Sequence, residues 1–447
     1  MATPSPPYTP LRRSSRDYFS AVPIVNADQW AAAAGDAPAV AHDSCQPSPV
    51  ITQAERAQDV VAIIGIGYVG AHLAESFGKV YKVIAYDINQ KRCAEVQQEL
   101  SHLPVYCTND PARLAEANHF IIAVTTTLHH DKTVDSKWLQ MALQTVGKYA
   151  SPLSTVIIES SVAVGMTRKL LGPVMRAKNL RGGMSPERVD PGRTNIAYNK
   201  IPKIISGLDD VTAGSLNTIA SLYKPVFPSL VQVTSPEVAE MTKLYENCQR
   251  MVNIAYANEM ANACKSLGID AREVCNAAAT KPFGYTPFSP SLGVGGHCIP
   301  VNPYYLFSTC DFPLLQTATE MMWARPAQIA DDLMKEMLRG RSPSRELPKV
   351  LVVGLGFKKG QSVLSNSPGV ALAKQLLKAW DVHVEYADPL VDESAVPFLP
   401  RLDRERWTKD ELESFDMIVV AVAQQGLDMT LLAQLEGVKV ENFSPRS

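Results

Sequence analysis

One cysteine of this chain of 447 residues stands in unusual company. Gly293–Pro300 reads GVGGHCIP, so Cys298 follows a stretch almost without side-chain bulk. Glycine lets a ligand approach the backbone, and the exposed amides can lower a thiol's pKa. The resulting thiolate is a good nucleophile. A buried, inert cysteine beside a turn is the bland alternative, and it is the commoner fate of a lone cysteine.

A second signal is Gly65, Gly67 and Gly70 in the spacing GxGxxG, with Tyr68 and Val69 inside it. An apolar run ending at Ile64 precedes it and a helical pattern from Ala71 follows. In that context Gly65 allows the tight turn, Gly67 lets a pyrophosphate near the backbone, and Gly70 lets helix pack on strand. Asp87 ends the next strand about 20 residues on, placed for the ribose hydroxyls. A carboxylate there repels a 2′-phosphate, so the expected cofactor is NAD rather than NADP. Gly354, Gly356 and Gly360 form a looser echo, GxGxxxG, and read as a fold echo without a second dinucleotide.

Four further polar positions could serve a thiolate. Lys243 and Asn247 are four apart on a helical stretch and share a face, with Arg250 near it. On their own, Lys243 and Asn247 also fit a surface pair. Glu187, in the run SPER at 185–188, is expected in a loop after a helix, where a general base is plausible.

The elements that must hold these groups follow from the pattern. Val60–Gly65, Lys82–Tyr86, Phe120–Val124 and Thr155–Ile158 read as strands alternating with helices, which implies a parallel sheet covered on both faces. Pro236–Leu267 reads as one long helix. A Gly/Pro-rich loop, Lys281–Pro303, interrupts the helical region, which resumes to about Leu338. After a polar linker, Arg339–Pro348, a second α/β unit begins: strand Lys349–Gly354, helix Gly369–Ala379, strands His383–Tyr386 and Met417–Ala423. The expected class is α/β, with two Rossmann-like lobes joined by a long central helix and a helical dimerisation region. The expected divisions are a disordered or loosely packed extension (1–58), a dinucleotide lobe (59–235), a central helical domain with the cysteine loop (236–340) and a substrate lobe (341–447).

Composition narrows the remaining classes. Lys+Arg 43 against Asp+Glu 45 gives a net charge of -2, which carries no general attraction for nucleic acid or anionic membranes. With 46% hydrophobic and 20% charged residues, sizeable cores are expected rather than disorder along the chain. No apolar run reaches the ~20 residues of a membrane span. The eight cysteines include no CxxC pair and are expected to be reduced. His129, His130 and Asp131 have no further ligands nearby in sequence, so no metal is expected. Cytoplasmic location is the expectation, although the Arg- and Ser-bearing first 16 residues also permit a mitochondrial presequence that their prolines oppose.

Taken together, these motifs resemble the UDP-glucose/GDP-mannose dehydrogenase family from about Val60 to the C-terminus. The strings GIGYVG (65–70), SPERVDPG (185–192), KLYENCQRMVNIAYANE (243–259) and GGHCIP (295–300) carry the resemblance. With IPKIISG at 201–207, they look most like the branch acting on UDP-N-acetylglucosamine and UDP-N-acetylmannosamine. The resemblance implies a four-electron oxidation of a sugar C6 alcohol to a carboxylate, two NAD per turnover, by a homodimer. It casts Cys298 as the nucleophile, through a thiohemiacetal and a thioester, Lys243 and Asn247 as oxyanion donors, Glu187 as base and Asn302 beside them. It adds Arg92, Thr126 and Ser161 to the cofactor site, and gives Arg250, Gly295, Gly296 and Lys358 to the substrate.

The chain departs from the family pattern at several places. Asn302 stands where an Asp is usual, and Ser365 where an Arg grips the nucleotide. Gln424 replaces the His of an Ala-His pair, Glu441-Asn442-Phe443 replaces a terminal Asp-x-Arg, and Ser291 replaces a Gly. The dinucleotide loop and thiol are intact while the nucleotide grip is thinned. Two alternatives therefore stay open: an NAD-binding member acting on a non-nucleotide substrate or by another reaction, and a non-catalytic partner protein.

Overall fold

The computed structural model describes residues 59–189, 197–339 and 346–445. The expected N-terminal extension, Asp190–Gly192 and most of the expected linker lie outside them. Eight strands build the first sheet: Val60–Ile64 (β1), Lys82–Tyr86 (β2), Val105–Thr108 (β3), His119–Ile122 (β4), Thr155–Ile158 (β7), Arg181–Met184 (β8), Lys203–Gly207 (β9) and Leu230–Gln232 (β10). A separate hairpin pairs Thr127–Leu128 (β5) with Val134–Asp135 (β6). The order is β10-β9-β8-β7-β4-β1-β2-β3. Helices Tyr68–Gly78 (α1), Gln90–Glu99 (α2), Lys137–Tyr149 (α3), Met166–Lys178 (α4) and Ser215–Tyr223 (α5) accompany it. The inner strands are buried on both faces, as their unbroken Val/Ile runs require.

The sheet is not wholly parallel. β9 pairs antiparallel with β8, Gly183 opposite Gly207, and β10 follows β9's direction. Between β8 and β9 the described residues form only a single short turn, Tyr198–Lys200. A parallel return needs a crossover of a dozen or more residues, usually a helix, whereas a loop that turns back at the same end gives an antiparallel neighbour. The Glu187 segment therefore follows a strand directly, not a helix.

Pro236–Ser266 (α6) runs 31 residues, roughly 46 Å at about 1.5 Å per residue. Ser235 caps it, its hydroxyl accepting from the Val238 amide, and Pro236 opens its first turn. Ala271–Ala279 (α7), Asn302–Phe307 (α8) and Pro313–Leu338 (α9) complete the middle of the chain. The second sheet is parallel, with Lys349–Val353 (β11), His383–Ala387 (β12), Met417–Val420 (β13) and Lys439–Asn442 (β14) in the order β12-β11-β13-β14, and Pro368–Ala379 (α10) follows its first strand. No helix among the described residues is long and apolar enough to cross a membrane.

The long helix is fixed to the first lobe by a buried carboxylate. Glu240 accepts from the backbone amides of Gly165 and Thr167 at 2.5 and 2.8 Å. These amides open α4, whose capping residue, Gly165, has no side chain to offer. Glu240→Ala leaves two buried donors without partners and should lower unfolding free energy by roughly 2–4 kcal/mol, read by denaturant titration. Glu240→Gln, which keeps an acceptor oxygen, should cost clearly less.

Candidate functional site

The strand order reverses between β1 and β4, and a cleft opens at their carboxyl ends, where α/β sheets receive ligands. Gly65 sits there at φ +86°, and a Cβ on it would stand 2.9 Å from the Ala123 carbonyl oxygen. A Cβ on Gly70 would come within 1.8 Å of the Gly65 carbonyl oxygen, so α1 packs on the loop only because that side chain is absent. Gly67 differs: a Cβ there would meet nothing within 4 Å, and the residue lines the cleft. Asp87 accepts from the Ile66 amide at 2.9 Å and from the Asn89 amide at 2.9 Å, holding its carboxylate at the cleft edge. Arg92 reaches the loop from α2, donating through Nε to the Ile66 carbonyl.

These features fit a dinucleotide. The open Cα side of Gly67 leaves room for phosphates, and Asp87 offers acceptors for ribose hydroxyls. The cleft continues past Ala123 and Val124 to Thr126 and Ser161, where Thr126 Oγ1 donates to the Ser161 carbonyl at 2.7 Å. Val69 and Tyr68 line the same end, with Glu187, Lys243 and Cys298.

The second glycine loop is filled from within. Asp388 accepts from the Leu355 and Gly356 amides, and Gln424 bonds Gly360 and Gln361 across the turn. A Cβ on Gly356 would lie 2.1 Å from the Gln361 carbonyl oxygen. The backbone approach that Gly67 leaves open is here occupied by the chain itself.

Cys298 stands in the wall between two chambers. The dinucleotide cleft reaches it from one side. From the other, a cavity of about 480 Å³ is lined by Asn247, Arg250, Gly295, Gly296, Phe357 and Lys358, among others. Cys298, His297 and Lys243 line both. The cysteine loop is clamped by the second lobe. The Gly296 amide donates to the Ser365 carbonyl at 2.8 Å, and Asn366 Nδ2 donates to the Gly296 carbonyl at 2.9 Å. Phe357 lies where a Cβ on Gly295 or Gly296 would have to go.

The electrostatics favour the thiolate. Burial alone would raise the Cys298 pKa, but the hydrogen bond and charge of His297, with Lys243 and Arg250, bring it below the usual thiol value. The hydrogen bond to Cys298 likewise raises His297, against its burial. Lys243 is 7% exposed, and among the described residues neither it nor Arg250 has an ion-pair partner. A buried ammonium is costly unless anions face it, and the Lys243 charge acts on the Cys298 thiol and on Glu187. Asn247 donates through Nδ2 to Asn302 Oδ1, so Asn302 supports an amide rather than a charge. Arg188, by contrast, is held by Glu246 and the Pro202 carbonyl.

Glu187 belongs to a buried network that the sequence did not suggest. It accepts from the Arg188 and Val189 amides, the Tyr198 hydroxyl and, at 3.0 Å, Lys203 Nζ. Burial pushes its carboxyl up, but the Lys203 charge and these bonds hold it below the ordinary value. Glu159, at the end of β7, shares Lys203. His297, Glu159, Lys203, Tyr198 and Tyr223 were not singled out from sequence. The only sequence signal is an acid closing an apolar strand and a lysine opening another.

The structure thus gathers Cys298, Lys243, Asn247, Asn302, Glu187, Thr126 and Ser161 around one point, with Gly65, Gly67 and Asp87 farther along the cleft. Gly70 and Arg92 support the loop. No three acidic, His or Cys side chains among the described residues are grouped to hold a metal.

Models of three domains match the chain: the NAD binding domain of the UDP-glucose/GDP-mannose dehydrogenase family over residues 59–227, its central domain over 237–322 and its UDP binding domain over 351–442. UDP-N-acetyl-D-glucosamine 6-dehydrogenase of Pseudomonas aeruginosa is 34% identical over 360 residues, 74% of this chain and 83% of that protein. UDP-N-acetyl-D-mannosamine dehydrogenase of Pyrococcus horikoshii is 30% identical over 393 residues, 81% and 88% of the two. The solved structure of a UDP-D-ManNAc dehydrogenase from Pyrococcus horikoshii superposes with a TM-score of 0.75 at 25% identity, covering 86% of this chain and 99% of that one.

The two loop glycines should separate folding from binding. Gly70→Ala forces the loop apart and should lower the unfolding midpoint, at a cost of about 1–3 kcal/mol. Gly67→Ala should leave the midpoint without ligand unchanged but remove most of the upward shift that NAD produces. Both are read by thermal unfolding with and without NAD.

Proposed function

The chain belongs to the UDP-glucose/GDP-mannose dehydrogenase family, as an NAD-dependent dehydrogenase with that family's NAD-binding domain, and we propose that it oxidises the C6 alcohol of a UDP-N-acetylhexosamine to the uronate. The observation that carries this is the position of Cys298, on a wall shared by the dinucleotide cleft and a cavity bearing Lys243, Arg250 and Lys358. Cations on that side suit a diphosphate. The names of the relatives support the sugar class.

Gly65, Gly67, Asp87, Thr126 and Ser161 would hold NAD, which when bound supplies the hydride acceptor for each of two oxidations. The chain's own groups do the rest. Cys298 Sγ attacks the aldehyde carbon, and the alkoxide of the thiohemiacetal is held by Lys243 Nζ and Asn247 Nδ2. Donors aimed at such an oxygen are typically worth about 3–4 kcal/mol each. Oxidation of that carbon leaves a thioester on Sγ. Water adds to the thioester carbon, Glu187 takes its proton, and the thiolate departs.

A non-nucleotide alcohol is the second reading, and Ser365 favours it. At the place of the family's gripping Arg it offers a short, uncharged hydroxyl that cannot neutralise a phosphate. Assembly as a homodimer is supported by the outer side of α6, where Met241, Tyr245, Tyr256 and Met260 are exposed at helical spacing. Tyr245→Glu should shift the sedimentation coefficient from dimer to monomer; an unchanged dimer places the contact elsewhere.

The deciding measurement is NADH formed per UDP-N-acetylglucosamine consumed, with the product weighed by mass spectrometry. Two NADH and a uronate are expected. Cys298→Ser should form no carboxylate while its NAD affinity stays within about twofold, and acid production at the normal rate would remove the thioester route.

A further inference from the structure

Glu159 has no task in the reaction above, yet its surroundings are among the most constrained in the protein. It is 1% exposed and lines the dinucleotide cleft together with Glu187 and Cys298. Its Oε2 accepts from Lys203 Nζ at 2.6 Å, and its Oε1 from the Tyr223 hydroxyl at 2.7 Å. Lys203 Nζ also donates to Glu187 Oε2 at 3.0 Å. One ammonium therefore faces two carboxylates at the nearly buried base of the cleft. The groups facing Glu159 are Lys203 from β9, Tyr223 from α5 and Glu187 from the loop after β8, with Tyr198 and Lys243 beyond Glu187.

The two carboxylates are unequal. Glu187 has four donors on its two oxygens and holds an accepted proton poorly. Glu159 has two donors, and burial outweighs the Lys203 charge to push it up to about 7. Resting on the thioester reading above, we infer that Glu159 is the proton store of the hydrolytic step, receiving through Lys203 the proton that Glu187 takes from water.

The step balances without another reactant. The water oxygen bonds to the thioester carbon, one of its protons passes to Glu187 Oε2, and the other stays on the new carboxyl group, which releases it to solvent to give the uronate. Lys203 Nζ gives one proton to Glu159 Oε2 and takes the one on Glu187, so it ends as the ammonium it began. The C–S bond breaks, and sulfur leaves with the electron pair. Glu159 then returns its proton to solvent before the next cycle.

Glu159 must be ionised to accept, so hydrolysis should slow as pH falls below about 7. The test is rapid acid quench of a single turnover with NAD and UDP-N-acetylglucosamine. Intact-protein mass follows decay of the acyl adduct on Cys298 from about pH 5.5 to 8.5. The wild type should show the acid limb. Glu159→Gln should form the adduct at the normal rate, lose it at least about tenfold more slowly and show no such limb, and Glu159→Asp should restore the limb. A merely structural role would change unfolding midpoints but leave the shape of the pH profile alone. Wild-type decay in Glu159→Gln, or a flat wild-type profile, overturns the inference and leaves the thioester route standing. If Glu159→Gln does not fold, the wild-type profile and Glu159→Asp decide. If the wild type forms neither adduct nor uronate, the thioester reading fails and this inference falls with it.

Discussion

Glu240, Lys243, Asn247 and Met251 stand on successive turns of α6, and the helix cannot rotate that face away without losing contacts in several directions. Glu240 is bound to the start of α4, Asn247 to Asn302 behind the cysteine, and Met251 is packed among Leu244, Tyr305 and Leu315. A buried face would ordinarily be apolar. Here its polar members are admitted because each has either a partner or, for Lys243, a chamber to point charge into. The rotation of one helix thus sets where an ammonium and an amide stand relative to the thiol.

Three separated parts of the chain converge on that point. The first lobe contributes the glycine loop and the Thr126–Ser161 contact. Its hairpin tip also reaches α9, laying Lys132 over the Trp323 ring at 3.3 Å from the centroid. Tyr305, on the helix that follows the cysteine, donates to the Thr127 carbonyl. The second lobe supplies Phe357, the Ser365 carbonyl and Asn366, which holds φ +50° to make its bond. Positioning of the thiol is therefore tertiary, since the GVGGHCIP run supplies the room but not the clamp.

That division explains what could be read in the sequence. The strands and the long helix were legible because apolar runs and helical spacing are local, and Lys82–Tyr86 and Thr155–Ile158 hold to the residue. The glycine loop was legible because its turn, approach and packing requirements fall within six residues. The reversal at β9 was not, because a direction of pairing depends on a connection with no period of its own. Glu159 and Lys203 were not, because each looks like an ordinary strand end until the fold sets them side by side across 44 residues. Lys243 and Asn247 looked compatible with a wet surface, and only burial removes that option.

The shared wall has a logistical consequence. On the proposed thioester route, a group tethered to Cys298 Sγ would occupy one chamber and leave the other accessible through its own lining. The spent partner on the far side would then be exchanged for a fresh one while the half-processed molecule stayed moored. An aldehyde released between two oxidations would diffuse away and react elsewhere. On that route a party wall with a thiol in it would keep such cargo aboard, so that two errands could be run from one berth.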